Sequence, residues 1–252
     1  MSVRGKRATR QLMTAAKVKK IVSNLAEKKV VQHEATNQVA AYNQTSFGSN
    51  GIIPVSPYST YLQVDQGTSQ DQRIGNKIRP MRTTLDMNFV AQNYNGTTNT
   101  NPTPQQIRVV VFSMKDNNDL PTTLPYFFQQ GSSSTTPLSN GFDMILPINR
   151  DLYTVYEDFR VKLGASIWEV SPGTTAVQGY FANNDFDLNP IVRLDLSKHI
   201  PNVVTYNDNN SAPTSRAVFV TWFTARSDGV TSASSQIPAS VFYSLKCTYT
   251  DD

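Results

Sequence analysis

Short β-type segments separated by polar, turn-rich loops fill most of the chain after its first 70 residues or so. The segment IRVVVFSM (107–114) is β-branched and apolar at successive positions, which is typical of a central strand covered on both faces. In IVRLDLSKHI (191–200), Val192 and Leu194 alternate with polar neighbours, as in a half-buried strand. About eight such segments without a convincing interior helix predict an all-β fold, and they favour a Greek-key β-sandwich or jelly roll over an up-and-down barrel.

The charge of the chain is divided unevenly along its length. Residues 1–30 contain nine basic residues and one acid, a net charge of +8, whereas the other 222 residues contain 14 basic and 18 acidic residues, a net charge of −4. A basic block at one terminus is a common sign of a nucleic-acid partner. We expect its basic side chains to bind phosphate, in preference to forming a solvated tail without a partner. They are Arg4, Lys6, Arg7, Arg10, Lys17, Lys19, Lys20, Lys28 and Lys29.

The basic N-terminal segment also has a helical pattern. Apolar residues recur at spacings of three and four within residues 9–30, with lysines on the opposite face, which predicts a basic amphipathic helix. Residues 32–71 are polar and irregular and are interpreted as a linker. The predicted organisation is therefore a basic, partly helical N-terminal arm and linker over residues 1–50, followed by a β-sandwich domain over residues 51–252.

A second basic cluster lies where the linker meets the first strand of the body. Arg73, Lys77, Arg79 and Arg82 fall within ten residues, in QRIGNKIRPMR. With this cluster, residues 1–82 contain 13 basic and four acidic residues, a net charge of +9. We expect these four side chains to contact phosphate as well, and the alternative is a solvated strand edge on which cations block unwanted pairing.

The sequence displays no recognisable catalytic or metal-binding motif. Cys247 is the only cysteine and His33 and His199 are the only histidines, so neither an intrachain disulfide nor a His/Cys zinc site can form. No nucleotide-binding or hydrolase motif is present. The Asp185–Asp187 loop is interpreted as a polar turn in preference to a calcium loop. We therefore expect no enzyme activity, no cofactor and no metal.

The sequence also indicates the cellular compartment in which we expect the protein. No apolar run approaches the roughly 20 residues that a membrane-spanning helix needs, and the basic start lacks the apolar stretch of a secretory signal. We expect a cytosolic or nuclear product that is not inserted into membranes.

Several segments resemble, in the same order, those of a known family. They are QRIGNKI (72–78), IRVVVFSMKDNNDLPTT (107–123), LSNGFDMILPINRDLYTVYEDFRV (138–161) and RLDLSKHIPNVVTYN (193–207). Together they resemble capsid proteins of small circular single-stranded DNA viruses that encode a replication initiator, and of related satellite-like viruses. The resemblance implies a single eight-stranded jelly roll, a jelly-roll shell domain over residues 51–252, that self-assembles into an icosahedral shell. It places the arm inside on a single-stranded genome, DNA being favoured over RNA. It also implies location in the virion, and in the host nucleus or cytoplasm during assembly.

Two alternatives stay open at this point. Arms of the circovirus type are typically dense in arginine, whereas this arm is rich in lysine, which leaves a related lineage or an RNA satellite virus possible. From another class of function, a non-viral β-sandwich binding module, lectin-like or for attachment, would use the basic tail to dock on an anionic surface.

Overall fold

A computed structural model describes residues 27–40, 52–54, 64–93, 95, 99, 102–115, 126–130, 133–135, 141–168, 178–181, 186–208, 210, 213–214, 218–229 and 236–251. Within these ranges the regular structure comprises thirteen strands and one 3-10 helix, Gly141–Met144. No helix in the described ranges is long and apolar enough to cross a membrane. In chain order the strands are β1 (Lys28–Ala40), β2 (Ile52–Pro54), β3 (Lys77–Ala91), β4 (Gln105–Met114), β5 (Phe128–Gln130), β6 (Ser133–Thr135), β7 (Tyr153–Leu163), β8 (Ala165–Trp168), β9 (Gln178–Phe181), β10 (Ile191–Asp195), β11 (Val204–Thr205), β12 (Phe219–Arg226) and β13 (Ala239–Asp251).

Eight of these strands form two four-stranded antiparallel layers. Sheet 1 has the order β1-β13-β3-β10, with the short β11 also paired to β3, and sheet 2 has the order β2-β12-β4-β7. Taken in chain order, the eight main strands cross between the sheets at every connection except that from β4 to β7. This is the strand order of a jelly roll built from two Greek keys. The fold predicted from the sequence is confirmed.

The core confirms that β4 is covered on both faces. Val109 and Val111 point between the two sheets, whereas Val110 and Phe112 point to the other face of sheet 2. There they meet an aromatic cluster supplied by the segment that follows β4, in which the rings of Phe112 and Phe127 pack edge to face at 5.4 Å between centroids. The outer face of sheet 2 is therefore occupied by the chain's own insertion.

A buried arginine of β4 holds this insertion in place. The Arg108 guanidinium binds both carboxylate oxygens of Asp158 at 2.6 and 2.8 Å and donates to the carbonyls of Asp143 and Leu146 at 2.7 and 2.8 Å. The sequence pattern FDMILPI (142–148) predicts a strand, and this prediction is wrong. Its backbone instead forms a 3-10 turn whose carbonyls face Arg108, so they are satisfied by a side chain and not by a neighbouring strand.

Strand β1 corrects the prediction made for the arm and linker. Residues 28–30 begin β1, so the predicted helix over 9–30 does not reach its expected end, and residues 9–26 lie outside the described residues. β1 also occupies the first part of the predicted linker, and the sandwich therefore begins at Lys28, within residues 1–50. The inward positions of β1 include Lys29 and His33 next to Val31, and this mixture of polar and apolar residues hides the alternation that identifies a strand.

Candidate nucleic-acid interface

The outward side chains of sheet 1 form rows across its four main strands. The strand pairings place four such rows side by side, each two residues further along β1. Every row contains at least one basic residue, and the acidic residues lie only in the two rows furthest from the start of β1. From the start of β1, the rows are Lys28, Thr250 and Arg79; Val30, Thr248 and Arg82; Gln32, Lys246, Thr84 and Asp195; and Glu34, Ser244, Asp86 and Arg193.

A β-bulge in β3 brings three of the predicted basic residues to this face. Pro80 pairs with Tyr249 and Arg82 pairs with Thr248, so Met81 is an extra residue without a partner on β13. Without this extra residue, Arg79 and Arg82 would point to opposite faces, since side chains alternate along a strand. With it, Lys77, Arg79 and Arg82 are all exposed.

The start of β1 connects this face to the basic N-terminal segment. Lys28 is exposed at the first position of β1, in the same row as Arg79. The seven predicted basic residues that precede it lie outside the described residues; they are Arg4, Lys6, Arg7, Arg10, Lys17, Lys19 and Lys20. The segment that carries them enters the sandwich beside the basic rows of sheet 1.

Lys29 does not belong to this exposed set. Its side chain is 1% exposed, and its Nζ forms an ion pair with Asp251 Oδ2 at 2.9 Å and donates to the carbonyl of Gln72 at 2.5 Å. These contacts join β1 to β13 and to the segment that precedes β3. The prediction that Lys29 contacts phosphate is wrong, because the inward side of β1 places its charge in an internal ion pair.

Arg73 is likewise a structural residue. Its side chain is fully buried and stacks over the ring of Tyr206, with 4.5 Å from the guanidinium carbon to the ring centroid. The guanidinium donates to the Asn76 side chain and to four backbone carbonyls, which belong to Val64, Gly75, Asn207 and Asn210. The prediction of a phosphate contact is wrong for Arg73, since its donors are directed to backbone oxygens inside the protein.

Two further basic residues complete the face and were not among the predicted site residues. Lys246 on β13 pairs with Thr84, and Arg193 on β10 pairs with Asp86. Both residues occupy outward positions of segments that the sequence pattern marks as strands. Their closeness to Arg82 could not be predicted, because it depends on which strands pair and in which register.

Acidic residues on the same face have partners within the protein. Arg193 binds Asp86 at 2.6 and 3.4 Å. Asp195 accepts hydrogen bonds from the hydroxyl and the backbone N–H of Ser197, and these bonds, together with the charge of Arg82, hold the pKa of that carboxyl below its usual range. Asp195 therefore stays ionised near neutral pH and offsets part of the positive field at Arg82.

The described residues contain no group of three or more His, Cys, Asp or Glu side chains that could hold a metal ion. His33 lies on β1, where burial lowers its pKa, and His199 follows β10, where its ring stacks on Tyr156 at 4.4 Å and faces Glu157 Oε1 at 3.5 Å. The Cys247 thiol contacts the Thr83 hydroxyl at 3.3 Å.

Cys247 is expected to be unreactive in the native protein. It is fully buried on β13, and burial raises the pKa of its thiol to about 11, so almost no thiolate exists near neutral pH. A chromogenic disulfide reagent at pH 8 should label less than about a tenth of the native protein in the time that labels all of it in denaturant. Cys247→Ala provides the blank. Rapid stoichiometric labelling of the native protein would contradict the buried placement.

The fold and this face together define a class: a single-jelly-roll β-sandwich whose basic N-terminal segment joins a basic sheet face. No protein-family model matches the chain, and no curated protein sequence matches it either. Among solved structures, that of Cocksfoot mottle virus at 2.7 Å resolution is similar over 100% of this chain and 92% of that chain, with 10% sequence identity and a TM-score of 0.32. Similarity at this level carries no argument about function, and the fold assignment rests on the strand order.

Proposed function

We propose that this chain is the subunit of an icosahedral viral shell and that it packages single-stranded nucleic acid through its basic N-terminal segment. The observation that carries the proposal is the position of Lys28. This residue ends the basic segment, starts the first strand of a jelly roll, and lies on the same face as Lys77, Arg79 and Arg82.

The fold narrows the choice of function. Eight-stranded jelly rolls built from two Greek keys occur in viral capsid proteins, lectins and cupins. The rival class that the sequence leaves open is a carbohydrate-binding or attachment module of the lectin type. The basic segment that leads into β1 favours the shell subunit over this rival.

The proposed mechanism is electrostatic. Residues 1–27 could extend to roughly 90 Å, enough to follow a nucleic acid away from the sheet face. Each phosphate that they neutralise releases counterions, which makes binding strong at low salt and weak at high salt. Residues 1–30 contain no aromatic side chain on which bases could stack, so we expect packaging with little preference for base sequence.

Assembly and genome content can be tested together on the purified protein. We expect negative-stain microscopy to show closed, uniform shells, and an absorbance ratio at 260 and 280 nm above that of the protein alone. Opening the shells at high salt and treating them with either deoxyribonuclease or ribonuclease should remove the excess absorbance with one enzyme only, which identifies the nucleic acid. The family resemblance leads us to expect DNA.

A different result would favour the rival class. Monomers or small oligomers at every salt concentration tested, with no nucleic acid copurifying, would contradict the shell proposal. Binding of the same protein to immobilised polysaccharide would then support the attachment module.

A further inference from the structure

A polar cavity on the outer face of sheet 1 brings together cations that are distant in sequence. It has a volume of about 280 Å³ and is lined by side chains of β3, β10 and β13. The cavity extends over three strands because β3 pairs with β10 on one side and with β13 on the other. Side chains from neighbouring rows of the sheet therefore line it together. The lining residues are Arg82, Thr84, Asp86, Arg193, Lys246 and Thr248.

The charge of this cavity is positive and is incompletely balanced within the protein. Three basic side chains face one carboxylate, Asp86, and that carboxylate is bound to Arg193 at 2.6 Å. In the described part of the chain, neither Arg82 nor Lys246 forms an ion pair within 4.0 Å, although the charge of Asp195 acts on Arg82 from nearby. Two cations therefore remain available to an anionic ligand.

The donor types in the cavity match an oxyanion. A guanidinium presents a planar fork of N–H groups that fits phosphate oxygens, and an ammonium adds a compact charge. The hydroxyls of Thr84 and Thr248 lie on the adjoining strands and add two neutral donors. A volume of 280 Å³ corresponds to about nine waters, which leaves room for a phosphate group and part of its hydration.

We propose that Arg82 and Lys246, with Arg193 beside them, bind a backbone phosphate of the packaged single strand. This inference rests on the proposed function and extends it from the N-terminal segment to a defined site on the sheet. A nucleic acid bound by the N-terminal segment could continue along sheet 1 to this site. Lys28 and Gln32 are four residues apart on β1, about 13 Å, and Gln32 lies in the row of Lys246. That continuity favours nucleic acid over a sulfated polysaccharide, which offers the same oxyanion chemistry.

The test compares full-length variants of the subunit, released from shells at high salt and returned to lower salt. Arg82→Gln/Lys246→Gln removes the two available cations, and Lys115→Gln/Arg150→Gln removes two exposed cations elsewhere on the body. Binding to a fluorescent oligo-dT is measured by anisotropy over a series of salt concentrations. The first variant should lower the slope of log K against log salt by about 0.7, the value expected for one phosphate contact, and the second should leave it unchanged.

Each other outcome has a defined meaning. If wild type binds and the Arg82→Gln/Lys246→Gln variant has the same slope, the phosphate site is wrong and the shell proposal stands. If wild type does not bind oligo-dT, the packaging proposal fails and this site fails with it. If the variant loses affinity for a heparin hexasaccharide but not for oligo-dT, the ligand is a polysaccharide and the inference is overturned. Two controls separate loss of charge from loss of fold. Thermal unfolding shows whether both variants remain folded, and Lys246→Arg, which keeps the positive charge, should retain binding.

Discussion

Replacing Arg73 with methionine should lower the free energy of unfolding by about 3–5 kcal/mol, because each buried polar group left without a partner costs about 1–3 kcal/mol. Methionine keeps an unbranched apolar chain in the same space but supplies no donor. The carbonyls of Val64, Gly75, Asn207 and Asn210 would lose the guanidinium, and the cation would no longer cover the ring of Tyr206. Urea denaturation of the dissociated subunit, followed by tryptophan fluorescence, measures the change.

Two controls decide whether the effect comes from this network. Arg79→Met removes the same side chain from an exposed position of β3, and we expect it to change stability by no more than about 0.5 kcal/mol. Arg73→Lys retains the charge but cannot reach five acceptors, so its loss should be intermediate. An Arg73→Met protein as stable as Arg79→Met would show that the buried network contributes little.

Neutralising the N-terminal segment should remove most of the dependence of binding on salt, because the contacts of the sheet face remain. Changing its seven basic residues to glutamine keeps the length and removes seven phosphate contacts, so the slope of log K against log salt for oligo-dT should fall by about 5. The shells should then purify with little nucleic acid. The seven residues are Arg4, Lys6, Arg7, Arg10, Lys17, Lys19 and Lys20.

A charge-conserving variant provides the matched control. Lys17→Arg, Lys19→Arg and Lys20→Arg together preserve every positive charge, and both slope and packaged nucleic acid should stay close to wild type. If the glutamine variant also kept its slope, the segment would not be the main contact, and the sheet face would have to account for binding alone.

The sequence predicted the fold where apolar side chains repeat in a simple pattern. β4 is apolar at successive positions because both of its faces are covered, and β10 alternates because one of its faces is exposed. β1 was missed because its inward side includes Lys29, whose charge is balanced by Asp251 more than 200 residues later. A buried lysine resembles an exposed one in the sequence until its partner is known.

The candidate site was only partly predictable for the same reason. The composition of QRIGNKIRPMR marked a basic cluster, but it could not separate Arg73, which is fully buried, from Lys77, Arg79 and Arg82, which are exposed. The exposure of Arg79 together with Arg82 depends on the bulge at Met81. The burial of Arg73 depends on backbone carbonyls supplied by residues 207 and 210. The contribution of Lys246 required knowledge of strand register, which pattern and composition do not contain.

The pairing of β1 with β13 also constrains the order in which the chain folds. Among the described strands, β1 has no partner other than β13, and the hydrogen bond between Gln32 and Ser244 spans 212 residues. Contacts so distant in sequence form slowly, because closing the intervening loop costs entropy before any pairing energy is gained. During translation, β1 therefore cannot pair until β13 has left the ribosome. Under the proposed function, the basic segment that precedes β1 would meet nucleic acid before β1 pairs with β13, and genome capture would accompany this step of folding.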